Sequence, residues 1–257
     1  YICRVISLIL LRKEGVYCFP IKIFYAPSEQ QRKAALRDLL PLRGRRLKRK
    51  LLSLDKKDAT VLDVGANIGY SSFLYRKVFK KSSIYAFEPF PVNFSYLKKN
   101  NKGKEINFIN LGLSNEKSTL EFGIPSDHYE SKNTGRVTSL KNIWSGLEES
   151  IKVDVIPGDT FIKKNNINNV VFIKIDVEGM ELEVLKGLEN TILKDRPAIC
   201  IELNGTYLSF DNKILGYLKN LEGLGYRFFR FTNKLIEYEL KDISIRSNHD
   251  VFLFQDM

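Results

Sequence analysis

Thr60-Val61-Leu62-Asp63-Val64-Gly65-Ala66-Asn67-Ile68-Gly69-Tyr70 runs from an apolar segment through a glycine turn into a helix-like stretch. A short apolar run closed by glycine reads as a fully buried parallel strand. Gly65 allows a sharp turn and close ligand approach, because it has no Cβ. Gly69 allows close helix–strand contact or ligand approach. Asp63 falls toward the carboxyl end of the strand, the side on which open α/β sheets bind ligands. A plain strand–helix connection also uses glycine, so the rest of the chain must decide.

The alternation continues. Further strands are expected at 83–88, 106–111, 170–176, 197–203, 226–231 and 249–255. Helices are expected at 68–79, 91–101, 158–166, 180–193 and 211–223. Residues 113–156 break the pattern and read as an inserted hairpin, with alternation at 118–122 and 151–156 around a mobile loop at about 125–148. Repeated βα units call for a parallel sheet with helices on both faces. A non-helical segment joins the last two strands, so the last strand should run antiparallel. The expectation is an α/β, Rossmann-like sheet of about seven strands spanning residues 58–257. Residues 1–57 read as a basic N-terminal extension. It should hold one or two short strands within 16–25, a helix from Ser28 to about Leu40, and a basic helical segment from about Leu42 to Leu54.

Charge separates these two parts. Residues 1–60 carry 15 Lys and Arg against 5 Asp and Glu, so +10 of the net charge of +11 lies there. Arg43-Gly-Arg-Arg-Leu-Lys-Arg-Lys50 is the densest run. It reads either as a solvated helix face or as a peripheral contact with anionic membrane, nucleic acid or acidic glycan. Cysteines stand only at positions 3, 18 and 200, without metal-ligand spacing, which suggests reduced thiols and no zinc site. His128 and His249 are too few for a histidine metal cluster. The apolar start, residues 1–11, is short of the roughly 20 residues of a spanning helix and lacks a signal-peptide cleavage pattern. The chain does not begin with Met and reads as a fragment lacking its true start.

Three motifs carry chemistry. In Asp63-x-Gly65-x-x-x-Gly69 the spacing departs from the G-x-G-x-x-G of dinucleotide sites. An acidic residue before the first glycine suits the zwitterionic end of S-adenosylmethionine. Asn67 either bonds the methionine carboxylate or shapes the turn. Glu88, in Ala86-Phe87-Glu88-Pro89, closes the second strand 23 residues after Gly65, where an acid accepts ribose hydroxyls. In Lys174-Ile175-Asp176-Val177-Glu178-Gly179-x-Glu181, charged residues crowd a strand end, which is costly unless they are paired or functional. Lys174 and Asp176 share parity. Lys174 reads as a substrate contact or as the structural partner of an acid. Glu202 and Asn204 end the next strand in the same crevice. These carboxylates would also suit Mg²⁺ or Ca²⁺, but no metal is assigned.

Asp63-Val-Gly-Ala-Asn-Ile-Gly69, Phe87-Glu-Pro-Phe-Pro91 with Leu97 and Asn100, Lys174-Ile-Asp-Val-Glu-Gly-Met-Glu181 and Val184-Leu-Lys-Gly187 together resemble the FkbM family of S-adenosylmethionine-dependent methyltransferases, over about residues 58–256. Asn248-His-Asp-Val-Phe-Leu-Phe254 is similar to the family's closing strand. The resemblance implies a class I methyltransferase fold and methylation of a hydroxyl on a sugar, glycan or natural product. It places Gly65, Asn67 and Gly69 in the cofactor loop, Glu88 on the ribose and Asp176 at the methyl-transfer centre. Asp63 and Asn110 complete the cofactor candidates. Lys174, Glu178, Glu202 and Asn204 are the substrate candidates.

A sugar hydroxyl is a weak acid, so a general base helps its attack on a sulfonium methyl. Asp176 is the first candidate and His249 the second. His128, in the inserted loop, is a candidate acceptor contact, while Tyr129 and Trp144 read first as packing residues and otherwise as rings that stack on a sugar or form a lid. Three rivals stand beside this reading: an RNA methyltransferase using the basic arm, a nicotinamide-dependent reductase, and a non-catalytic cofactor-binding module of a glycan assembly complex. The strand-end run Ile-Asp-Val-Glu-Gly argues against attack by a nucleobase amino group. The missing third glycine argues against the reductase. The expected location is cytoplasmic, with peripheral contact at the inner membrane surface through residues 43–50.

Overall fold

The computed structural model describes residues 10–12, 15–18, 22–25, 45–125, 147–203, 213–231, 234–242 and 249–255. In chain order come β1 (Leu10–Arg12), β2 (Gly15–Cys18), β3 (Lys22–Tyr25), α1 (Arg45–Leu54), β4 (Thr60–Val64), α2 (Tyr70–Val78), β5 (Ser83–Phe87) and α3 (Pro91–Asn100). Next are β6 (Asn107–Ile109), β7 (Gly112–Ser114), β8 (Ser118–Pro125), β9 (Leu147–Pro157), α4 (Gly158–Lys164), β10 (Val170–Ile175), α5 (Glu181–Gly187) and α6 (Glu189–Asp195). The chain closes with β11 (Ala198–Leu203), α7 (Lys213–Gly223), β12 (Arg227–Phe231), β13 (Leu235–Tyr238) and β14 (His249–Phe254).

The principal sheet has eight strands in the order β13-β12-β14-β11-β10-β4-β5-β6. From β11 to β6 the neighbours are parallel, whereas β14 runs antiparallel to both β11 and β12. This is a doubly wound sheet whose last strand turns back, as the βα alternation predicts. The strand count rises from seven to eight because β13 forms a hairpin on β12. The sequence hid β13 because it is only four residues long, with exposed Ile236 and Glu237 at its centre.

β4 is buried at every position, which is why it reads as a continuous apolar run. Its side chains alternate between two cores. Leu62 and Val64 face α5, α6 and α7 through Leu185, Ile192 and Leu218. Val61 faces α1, α2 and α3 through Leu51, Tyr75 and Leu97. Leu47 and Leu51, one turn apart on α1, are fully buried in that second core while Arg46, Lys48 and Arg49 are exposed. The basic helix is therefore amphipathic and belongs to the packing of the main sheet.

Three expected elements come out differently. The expected strand at 106–111 divides into β6, which joins the principal sheet, and β7, which pairs with β9 instead. The expected helix at 180–193 breaks into α5 and α6 at Gly187–Leu188. Here β7 passes so close that a Cβ on Gly187 would stand 1.8 Å from the Ser114 carbonyl oxygen. In the lead-in, β2 and β3 are accompanied by a further strand, β1. The inserted hairpin is β8 paired antiparallel with β9. Its expected loop, with His128, Tyr129 and Trp144, lies outside the described residues, as does the expected helix at 28–40.

Candidate active site

The parallel strands β4, β5 and β10 end side by side, and their carboxyl ends form the floor of one cleft. After β4 the chain turns at Gly65, with φ +81°. The Gly65 and Ala66 N–H groups both donate to the Phe87 carbonyl at the end of β5, at 3.0 and 2.8 Å. On the other side, a Cβ on Gly65 would stand 1.8 Å from the Asp176 carbonyl oxygen. The glycine is required by the crowding of two strand ends as well as by its backbone angle. Asp176 is held from its own side too, its N–H donating to the Val64 carbonyl at 3.0 Å.

Asn67 takes a left-handed conformation, φ 49°, which asparagine tolerates better than most side chains. Its N–H donates to Glu88 Oε2 at 2.7 Å. The Phe90 N–H donates to Glu88 Oε1 at 3.0 Å, and Asn93 Nδ2 approaches the same oxygen at 3.5 Å. Glu88 is only 3% exposed. Burial pushes its carboxyl up to about 7, against the lowering effect of the Phe90 and Asn67 N–H groups and the Asn93 amide. Its carboxylate ties the glycine turn to the end of β5 and still borders the cleft. Two oxygens offer about four acceptor positions, so capacity remains for a ligand hydroxyl.

Lys174 and Asp176 meet as their shared parity predicts, Nζ to Oδ2 at 2.6 Å, with side chains 12% and 26% exposed. Burial alone would lower the Lys174 ammonium, but Asp176, Asp63 and Glu202 together raise it. Lys174 is thus a fixed cation among carboxyl groups. Glu202 makes side-chain hydrogen-bond contact with Asp176, and the Asp176 charge and burial push its carboxyl well up. Asp250 stands opposite Glu202 in the β11–β14 register.

The cleft opens to solvent and holds a cavity of about 80 Å³. Gly65, Asn67, Glu88, Asp176 and Glu178 all border it. The remaining candidates lie elsewhere. Asp63 is fully buried behind the turn, its Oδ2 accepting from Ser71 at 2.8 Å and Ser72 at 2.5 Å at the start of α2. Gly69, φ +84°, packs against the end of α3, where a Cβ would stand 2.3 Å from Asn101 Nδ2. Asn110 is exposed and donates to the Glu88 and Pro89 carbonyls, at 2.9 Å each. These three residues shape the turn and the strand-end loop from outside the cleft wall. His249 begins β14 opposite Leu203. Its side chain, and Asn204, lie outside the described residues. No cluster that could hold a metal ion occurs among the described residues.

An apolar wall completes the cleft, and the motif reading passed over it. Phe90 follows Glu88-Pro89, and its ring meets Phe122 of the inserted hairpin edge-on, with centroids 5.2 Å apart. Val155 and Met180 extend that wall. The alternation at 118–122 marks Phe122 as inward-facing but does not say which cavity it faces. The wall suits a flat apolar ring, Glu88 suits a neighbouring diol, and the turn at Gly65–Asn67 suits a small polar end. These residues fit S-adenosylmethionine.

An eight-stranded doubly wound sheet with two reversed strands, β14 and β13, at one end, and an acid at the end of the strand next to a glycine turn, define a nucleoside-type site on a class I methyltransferase fold. The chain belongs to the methyltransferase FkbM domain family, whose sequence model matches residues 63–228. It is 32% identical over 146 residues to the hexuronic acid methyltransferase AglP of Haloferax volcanii, a match covering 56% of each chain. The chain thus matches little more than half the length of that relative. It is 22% identical over 166 residues to the 2-O-methyltransferase NoeI of Sinorhizobium fredii, covering 61% of this chain and 68% of that one. Among solved structures it is similar to a methyltransferase FkbM from Methylobacillus flagellatus KT, at 20% identity and a TM-score of 0.47, over 76% of this chain and 43% of the other.

Proposed function

We propose that this chain is an S-adenosylmethionine-dependent O-methyltransferase acting on a hydroxyl of a sugar or glycan. The observation that carries the reading is the convergence of the Gly65–Asn67 turn, Glu88 and Asp176 on a single cleft. When bound, S-adenosylmethionine supplies an activated methyl group on a sulfonium centre. Glu88 accepts the ribose hydroxyls. Phe90, Phe122, Val155 and Met180 exclude water from the adenine side. Asp176, which borders the cleft and is steadied by Lys174, would orient the acceptor hydroxyl and take up its proton. Lys174 holds the Asp176 carboxyl at 2.6 Å, and the proton would leave to solvent after turnover. AglP and NoeI carry hexuronic acid and 2-O in their names, which supports a sugar hydroxyl as the acceptor here.

Isothermal titration with S-adenosylmethionine tests the cofactor assignment. Incubation with methyl-labelled S-adenosylmethionine and a panel of uronic acids, hexoses and their oligomers tests the acceptor class. Label in a sugar, at a position resolved by mass spectrometry, supports the reading. Label transferred to RNA but not to sugars contradicts it.

A second observation concerns a partner. Arg46, Lys48 and Arg49 give the exposed side of α1 a cationic face suited to an anionic membrane surface. No helix among the described residues is long and apolar enough to cross a membrane.

A further inference from the structure

The loop between β10 and α5 forms one whole side of the cleft, contributing Asp176, Val177, Glu178 and Met180. Its backbone is unusual. Glu178, φ 53°, and Gly179, φ 103°, are consecutive positive-φ residues. A non-glycine residue in this region costs of order 1 kcal/mol and persists only where its surroundings hold it. Glu181, at the start of α5, supplies the hold. It is 7% exposed, and its Oε1 accepts the Gly179 N–H at 3.0 Å. The nearby Val177 and Glu181 N–H groups, like that of Gly179, favour the charged carboxylate against its burial.

We propose that Glu181 is a positioning residue for the methyl-transfer site, its buried carboxylate holding the Gly179 N–H of the strained Glu178–Gly179 turn and so fixing the cleft wall that presents Asp176. A helix-capping role alone would not account for the bond to the Gly179 N–H, which lies before the helix and within the strained turn. Glu181 touches neither the cleft nor the reacting atoms, so it acts through the loop. The carboxylate is built in at an electrostatic cost, since burial pushes it up to about 7. The functional consequence rests on the methyltransferase reading, but the loop's conformation does not.

Amide hydrogen exchange of a peptide covering residues 176–181, in the ligand-free protein, tests the clamp directly. Calorimetry with S-adenosylhomocysteine tests its consequence. Glu181→Gln keeps an acceptor oxygen and should preserve slow exchange and affinity to within about threefold. Glu181→Ala orphans the Gly179 N–H and should speed exchange in this peptide and weaken S-adenosylhomocysteine by about tenfold or more. If the alanine variant does not fold, Glu181→Asp, whose carboxyl falls one methylene short, should show the same local acceleration at a wild-type unfolding temperature. Unchanged exchange in the alanine and aspartate variants overturns the proposal. Absence of S-adenosylhomocysteine binding by the wild type overturns the cofactor assignment, while exchange still decides the clamp.

Discussion

Gly65, Glu88 and Asp176 each do one thing that a near-isostere cannot. A methyl on Gly65 meets the Asp176 carbonyl at 1.8 Å in a left-handed backbone. Gly65→Ala should therefore lose about 2–4 kcal/mol in urea unfolding and separate the two strand ends of the cleft. Glu88 is a carboxylate kept inside the fold, with its carboxyl pushed up to about 7 from 4.5. A raised acid favours the protonated folded state, so its share of stability is full below pH 4.5 and is lost as pH rises to about 7. Ionisation nevertheless makes the better acceptor for ribose hydroxyls. Cofactor affinity should accordingly rise between pH 6 and 8 while stability falls, and Glu88→Gln should flatten both dependences. Calorimetry and urea titration across this range check both signs. Asp176→Asn keeps the shape and loses the base. It should bind S-adenosylmethionine within about threefold of wild type, while methyl transfer falls by about a hundredfold or more.

At the scale of elements, the strand–turn–helix at β4–α2 was legible because buried parallel strands leave an apolar run and a glycine in the chain. Glu88 and Asp176 were legible because strand ends are where such a sheet binds ligands. The direction of each side chain was not. Spacing treats Asp63, Gly69 and Asn110 like Gly65 and Glu88, yet Asp63 turns to Ser71 and Ser72, Gly69 packs on α3, and Asn110 holds carbonyls. The wall at Phe90, Phe122 and Val155 depends on how a hairpin folds across the sheet, a contact distant in sequence. The charge of residues 43–50 drew attention from the Leu47/Leu51 pair, whose spacing marks a docking stripe. That helix separates two predictions. Leu51→Ala should cost about 2–4 kcal/mol, read by thermal unfolding. Replacing Arg46, Lys48 and Arg49 by Gln should leave stability within about 0.5 kcal/mol and abolish sedimentation with phosphatidylserine vesicles. Retained sedimentation would remove the membrane proposal.

Taken whole, the molecule places its two kinds of polarity on different elements. The cleft lies at the carboxyl ends of β4, β5 and β10, with Lys174 set among carboxyl groups, and the basic surface lies on α1 beyond the second core. Membership of the methyltransferase FkbM domain family and the geometry of the cleft converge on methyl transfer. Glu88 and the Gly65 turn are proposed to bind S-adenosylmethionine in the cleft beside Asp176. Isothermal titration of S-adenosylmethionine into the wild type and Glu88→Ala tests it most directly. Saturable binding by the wild type and a loss of at least about tenfold in the variant are expected, since a diol deprived of its buried acceptor forfeits more than about 1.4 kcal/mol. Equal affinities, or no binding to the folded wild type, would contradict it.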